Sequence, residues 1–193
     1  MVWLLLGLVV FLGVHSTRVF ADDWRTRMVA RIGEKPWKGL YSVLSVAGFV
    51  LLVWGYGQAR QEPVVVWTPP RGMSHLAALL TLFSFVMLAA AFVPANGIKA
   101  RLKHPMVLGV KVWAFAHLMS NGTLADILLF GAFLAWSVLL FRASRRRDRT
   151  SGTIYPPGTA AGTWFTLVAG VAAWVGFAFW GHAHLIGVSP LGV

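Results

Sequence analysis

Long apolar runs alternate with short polar or basic segments along the whole chain. Each of six such runs approaches the length of about 20 residues that an α-helix needs to cross a lipid bilayer. The predicted helices cover residues 2–19, 38–58, 75–93, 105–120, 123–142 and 163–186. The pattern therefore predicts an all-α fold, an integral membrane bundle of six transmembrane helices that forms one domain over residues 1–193. Five helices are the alternative.

Proline and Asn-Gly residues mark several helix boundaries. Pro94 closes the third helix because proline lacks the N–H that continues the hydrogen-bond ladder. Pro105 suits the first position of the fourth helix. Asn121 and Gly122 then break the chain, as a left-handed cap does. The fourth and fifth helices are therefore expected to form a tight hairpin.

Basic residues alternate between the predicted loops. Together with the helix ends that flank them, the loops after the first, third and fifth helices carry six, three and five of them, whereas the loops after the second and fourth carry two and none. Cytoplasmic loops of membrane proteins are enriched in Lys and Arg. The three basic loops are therefore expected in the cytoplasm and both termini outside.

Composition supports this class and limits the chemistry. The chain is 58% hydrophobic and 12% charged, whereas about a quarter of the residues in soluble domains are charged. The net charge of +11 belongs to the loops. The expected partner is therefore the lipid bilayer, and no nucleic-acid partner is expected. Without cysteine there is no thiolate ligand. A histidine-ligated metal or haem is the best remaining cofactor.

Two ionisable residues flank the predicted hairpin turn at nearly equal distances, His117 and Asp126. Residues equidistant from such a turn lie at similar depth, and an ionisable pair inside a membrane protein is a functional hypothesis by default. A carboxylate can orient a histidine so that its other nitrogen faces a metal. The alternative is a structural hydrogen bond that locks the hairpin.

Further polar residues are candidates for the same chemistry. His15 ends the first apolar run, and Arg18 and His104 are expected to share the inner interface with it, where haem propionates would find basic partners. Lys111 lies within the fourth helix and either extends its amine to the membrane surface or neutralises an acidic group of a cofactor. His182 lies near the outer end of the last helix, with His184.

Several long motifs resemble the NnrU family of bacterial membrane proteins over roughly residues 1–140. The motifs are Phe-Leu-Gly-Val-His-Ser (11–16), Gly-Glu-Lys-Pro-Trp-Lys-Gly-Leu-Tyr-Ser (33–42), Trp-Gly-Tyr-Gly (54–57), Lys-His-Pro-Met (103–106) and the stretch from Lys-Val-Trp to Leu-Ala-Asp (111–126). The resemblance implies a multi-pass protein of the bacterial inner membrane. It also implies a link to denitrification through nitrite and nitric oxide reduction, with other membrane respiratory proteins as partners.

The NnrU family is in turn similar to zeta-carotene isomerase, a membrane enzyme that holds haem b between two histidines. Carried over to this chain, the resemblance implies haem b with His15 and His117 as ligands, in support of redox or isomerase-type chemistry. Depth along the predicted helices gives other pairs. His117 would face His182 or His184 near the outside, and His15 would face His104 near the inside.

Two other function classes remain open. One is a non-catalytic accessory factor for respiratory nitrogen-oxide enzymes, in which the histidines serve structure. The other is a membrane methyltransferase that uses S-adenosylmethionine, because Lys-His-Pro-Met-Val-Leu-Gly (103–109) is similar to an element of those enzymes. Such enzymes need a later cytoplasmic acidic pair, and no acidic residue follows Asp148.

Overall fold

A computed structural model describes residues 1–191, and the regular elements in this range are all helices. The helices are α1 (Val2–His15), α2 (Thr17–Phe20), α3 (Asp22–Ile32), α4 (Glu34–Ala59), α5 (Met73–Phe92), α6 (Gly97–Leu102), α7 (Pro105–Ser120), α8 (Leu124–Ser151), α9 (Ala160–Gly176) and α10 (His182–Ile186). A π-helical segment, Phe177–Gly181, joins α9 to α10 without a break.

Four helices are long and apolar enough to span a membrane. They are α4, α5, α8 and the continuous stretch Ala160–Ile186. Helices α1 and α7 are apolar but have only 14 and 16 residues, or about 21 and 24 Å at 1.5 Å per residue. The hydrocarbon layer is about 30 Å thick. The all-α fold is confirmed, and six crossings stay a prediction.

Two helices end far from their predicted last residues, and α4 begins at Glu34, four residues before its predicted start. The first helix ends at His15, because Ser16 stands between α1 and α2 with its N–H bonded to the Gly13 carbonyl at 3.1 Å. The fifth predicted helix, α8, continues to Ser151, nine residues past its predicted end. Arginine is a good helix former, so the basic segment extends the helix instead of starting a loop.

The helices pack in a row, α4, α1, α8, α7, α5 and α9, in which each contacts the next. One isolated bridge pairs Val65 with Thr123, and another pairs Asn96 with Thr159. The first bridge lies at the end of the bundle that carries the Asn121–Gly122 turn, which we call the Asn-Gly end. The second lies at the opposite, basic end. Helix α7 therefore returns the chain from the basic end to the Asn-Gly end.

Glycines allow α1 and α4 to approach closely. A Cβ placed on Gly48 would lie 2.8 Å from the backbone nitrogen of Phe11, and those on Gly7 and Gly55 would also overlap backbone of the facing helix. Small residues permit such close approach between membrane helices. The contact fixes α1 beside α4, with Leu4 fully buried between them.

The outward faces of the bundle are apolar. Large side chains such as Val9, Phe49 and Phe165 are 70%, 53% and 64% exposed. Soluble monomers seldom expose apolar patches of more than a few hundred Å², whereas a lipid-facing surface requires them. The surface therefore agrees with the four long apolar helices and supports a multi-pass membrane protein.

Candidate functional site

His117 lies on the last turn of α7, and the backbone fixes its ring. Its Nδ1 lies 2.8 Å from the Trp113 carbonyl, one turn earlier. A carbonyl only accepts hydrogen bonds, so Nδ1 carries the proton and Nε2 of the neutral ring keeps a free lone pair. The ring stacks on Phe130 of α8 with centroids 4.6 Å apart. His117 is thus held in the tautomer that suits a metal ligand.

A cleft of about 190 Å³ opens beside His117, between α7 and the α9–α10 stretch, with α5 as its floor. We call it the His117 cleft. Small residues of α5, among them Ala77 and Ala78, leave this space. Four large aromatic side chains line it among smaller and polar residues, and Trp174 donates from Nε1 to Thr81 Oγ1 at 3.1 Å. The remaining lining residues are Ser74, Phe85, Trp113, Ser120, Asn121, Phe177, Ala178, His182, Val188, Ser189 and Pro190.

His182 lines the same cleft from the opposite side. Its Nδ1 lies 2.7 Å from the Val188 carbonyl. Nδ1 therefore carries the proton in the neutral ring, and Nε2 keeps its lone pair. The π-helical segment Phe177–Gly181 directly precedes it. Such segments occur frequently at functional sites. Two imidazoles with available Nε2 atoms therefore border one apolar cavity.

His15 lies elsewhere. Its Nδ1 is 2.7 Å from the Phe11 carbonyl, and its ring contacts Trp136 of α8 at 6.1 Å between centroids. His117 stacks on Phe130 and His15 contacts Trp136. These two residues of α8 are six positions apart, which is about 9 Å along the helix axis. Two nitrogens on one metal lie about 4 Å apart. The structure does not bring His15 and His117 together.

Trp136, next to His15, has a buried Nε1–H without a hydrogen-bond partner among residues 1–191. The surroundings of His15 are also aromatic, with Phe11 at 4.3 Å and Tyr41 at 5.3 Å between ring centroids. His15 is not among the residues that line the His117 cleft.

Asp126 does not hydrogen-bond to His117. One carboxylate oxygen accepts from the Tyr56 hydroxyl at 2.5 Å, and the other accepts from the backbone N–H and hydroxyl of Thr123 at 3.1 and 2.6 Å. The Thr123 hydroxyl in turn accepts from the Asp126 N–H, which completes a capping box. Asp126 therefore fixes the start of α8 and ties it to α4, and the backbone orients His117.

The other predicted residues lie nearer the basic end. Arg18 and His104 line one groove there, and His104 Nε2 lies 2.8 Å from Asp148 of α8. Burial raises the pKa of Tyr155, and its hydrogen bond to Asp148 adds to the effect. Lys111 is half-buried on α7 and is not among the residues lining the cleft or this groove. The pair of His104 and Asp148 joins the start of α7 to the end of α8.

Comparison with known families decides the assignment. The profile of the NnrU protein family matches residues 3–190. The chain belongs to the NnrU family. The match extends past the predicted limit near residue 140 and includes the helix that carries His182. No curated protein and no solved structure matches the chain.

Sequence reasoning missed several contacts of this NnrU protein. Tyr56 stands in the Trp-Gly-Tyr-Gly motif but 70 residues from Asp126, and no local pattern joins them. The Thr-x-x-Asp spacing from Thr123 to Asp126 was a visible signal for a capping box. The pair formed by His104 and Asp148 depended on α8 continuing beyond its predicted end.

Proposed function

We propose that this NnrU protein is a haem-b-binding protein of the bacterial inner membrane, with His117 as an iron ligand in the His117 cleft. The observation that carries the proposal is the pair of histidines bordering one apolar cavity, each with Nδ1 on a backbone carbonyl. Histidine ligands of metals almost always donate the other ring nitrogen in this way.

The donor set fits haem iron, which takes imidazole ligands in many proteins. The cavity, at about 190 Å³, is smaller than the roughly 300–1,000 Å³ of typical ligand pockets. Admission of a porphyrin therefore requires the walls of the cleft to separate. Contact with Trp113 and Phe130, at 5.1 and 4.6 Å between ring centroids, keeps the His117 ring in place during such a change.

Bound haem b would supply one-electron chemistry at its iron. The chain holds the Nδ1 proton of His117 on the Trp113 carbonyl and packs the ring against Trp113 and Phe130. This role supports chemistry linked to nitrogen-oxide metabolism or an isomerisation like that of the carotene enzyme, as the resemblance implies. The positive-inside rule supports placing the basic end in the cytoplasm, with both termini outside.

The test is the absorption spectrum of the protein purified in mild detergent after expression with haem available. We expect a Soret band in the wild type and its loss in His117→Ala. His182→Ala should shift the band, because a second ligand is lost. His184→Ala is the matched control, since His184 lies two residues away with its Nδ1 on the Trp180 carbonyl but does not line the cleft.

The variant His15→Ala decides which histidine is the second ligand. A spectrum altered by His15→Ala and not by His182→Ala would favour the pair implied by the resemblance. Full haem content in His117→Ala would overturn the proposed ligand. Absence of any Soret band in the wild type would overturn haem binding and favour the accessory role.

A further inference from the structure

Three arginines near the end of α8 share one face of the helix. Arg142, Arg146 and Arg149 follow the i, i+4, i+7 spacing, which at 3.6 residues per turn places them within a sector of about 60°. All three are exposed. None of them forms an ion pair within residues 1–191. Like charges at i, i+4 repel one another, and no carboxylate of the described residues pairs with these three guanidinium groups to offset that repulsion.

The three side chains line a groove of about 1270 Å³ between α2, the start of α3 and the end of α8, which we call the basic groove. Two neighbouring arginines form polar contacts within the chain. Arg147 donates to the Arg18 carbonyl at 2.6 Å, and Arg145 lies 3.7 Å from Asp148.

The acidic side chains of the groove do not neutralise the three arginines. Asp22 pairs with Arg18 at 3.4 Å, and Asp148 pairs with His104 at 2.8 Å. Asp23 also lines the groove and forms no ion pair within residues 1–191. Arg147 bonds only neutral oxygens, the Arg18 carbonyl and the Ser144 hydroxyl, so its charge is not compensated either. The charge of the groove without an ion pair among residues 1–191 is therefore four guanidinium groups against the carboxylate of Asp23.

The chemistry of the groove selects a phosphate. Planar guanidinium groups bind phosphate oxygens through paired N–H donors. Phe20 lines the groove, and Trp24 lies nearby on α3; they are 73% and 46% exposed. Exposed tryptophan concentrates in the interface, which supports placing the groove at the level of the membrane surface. Basic pockets in this position bind anionic lipid headgroups.

We propose that the basic groove binds the phosphate of an anionic phospholipid headgroup. The acyl chains would then lie along the apolar surface of α1 and α8, beyond Phe20. This site is separate from the His117 cleft, since no residue lines both. It stands whether or not the protein binds haem.

The test measures binding of fluorescent phosphatidylglycerol to the delipidated full chain in detergent. The groove variant carries Arg142→Gln, Arg146→Gln and Arg149→Gln. The matched control carries Arg27→Gln, Arg31→Gln and Lys35→Gln, which remove the same charge from exposed positions outside the groove. We expect the groove variant to bind at least tenfold more weakly, given about fivefold per basic residue at a membrane surface, and the control to stay within about twofold.

The other outcomes contradict the proposal. Equal weakening in both variants would show general surface charge, and unchanged binding in the groove variant would exclude the three arginines. Displacement of the lipid by an equal concentration of inorganic phosphate would assign the site to a free anion. Size-exclusion profiles and helical content confirm that each variant is folded before its binding is compared.

Discussion

At the scale of single residues, Asp126 carries the most demanding interactions. It is 6% exposed, and a carboxylate in such a position is costly unless its oxygens are satisfied. Tyr56 supplies one donor across 70 residues of sequence, and Thr123 supplies two more. The group therefore links α4 to the turn before α8, which is a structural task.

We predict that Tyr56→Phe and Asp126→Asn each lower the free energy of unfolding by about 1–3 kcal/mol, because hydrogen bonds to a charged group are lost. The double variant should lose less than the sum, with a coupling energy of about 0.5–3 kcal/mol. Unfolding in mixed detergent micelles measures both quantities. The control is Asp23→Asn, at an exposed position, where a change within about 0.5 kcal/mol is expected. Additive losses would contradict the contact.

The sequence identified Asp126 as unusual but attributed it to the wrong neighbour. Equal distance from a turn gives similar depth, and depth alone does not say which way a side chain points. The ring of His117 instead bonds the carbonyl one turn earlier on its own helix. Depth suggested His182 or His184 beside His117, and of these two His182 lines the same cleft as His117.

At the scale of elements, glycine decides how closely α1 and α4 pack. Gly48 and Gly57 lie on the same helix, but a Cβ on Gly48 would lie 2.8 Å from the Phe11 nitrogen, whereas a Cβ on Gly57 would meet nothing within 4 Å. A substitution at Gly48 therefore forces two backbones apart. The same substitution at Gly57 changes only the local helix.

We predict that Gly48→Ala lowers the free energy of unfolding by about 1–3 kcal/mol, the usual cost of overpacking. Gly57→Ala should be neutral or stabilising by up to about 1 kcal/mol, because alanine is the better helix former. Thermal unfolding of the two variants in the same detergent compares them directly. Equal effects of the two substitutions would mean that helix propensity, and not the contact between α1 and α4, governs the result.

Helix existence was predictable here, whereas several helix ends were not. The bounds of α7 match the prediction because Pro105 and the Asn121–Gly122 turn are strong local signals. The arginine segment after residue 142 gave no such stop, so α8 exceeded its apolar part. The π-helical segment before His182 has no sequence signal of its own, because it depends on packing against neighbouring helices.

At the scale of the whole molecule, the row of helices settles the relative direction of each. Helices α5 and α8 both run from the Asn-Gly end to the basic end, since one isolated bridge lies at each end of the bundle. Helix α7 must return the chain between them. If α7 crosses the membrane, Arg101 and Ser151 lie on the same side. Four crossings without α7 would require these residues on opposite sides, which conflicts with the shared direction of α5 and α8.

Single cysteines test this difference without background, because the natural chain has none. We predict that Arg101→Cys and Ser151→Cys both resist a membrane-impermeant maleimide in spheroplasts and both react after lysis. Gln61→Cys, exposed beyond the end of α4, should react in spheroplasts. Labelling of Arg101→Cys and Ser151→Cys from opposite sides would show that α7 does not cross, and would exclude six spans. Because α7 carries His117, the same result would also require a different account of how the cleft meets the bilayer.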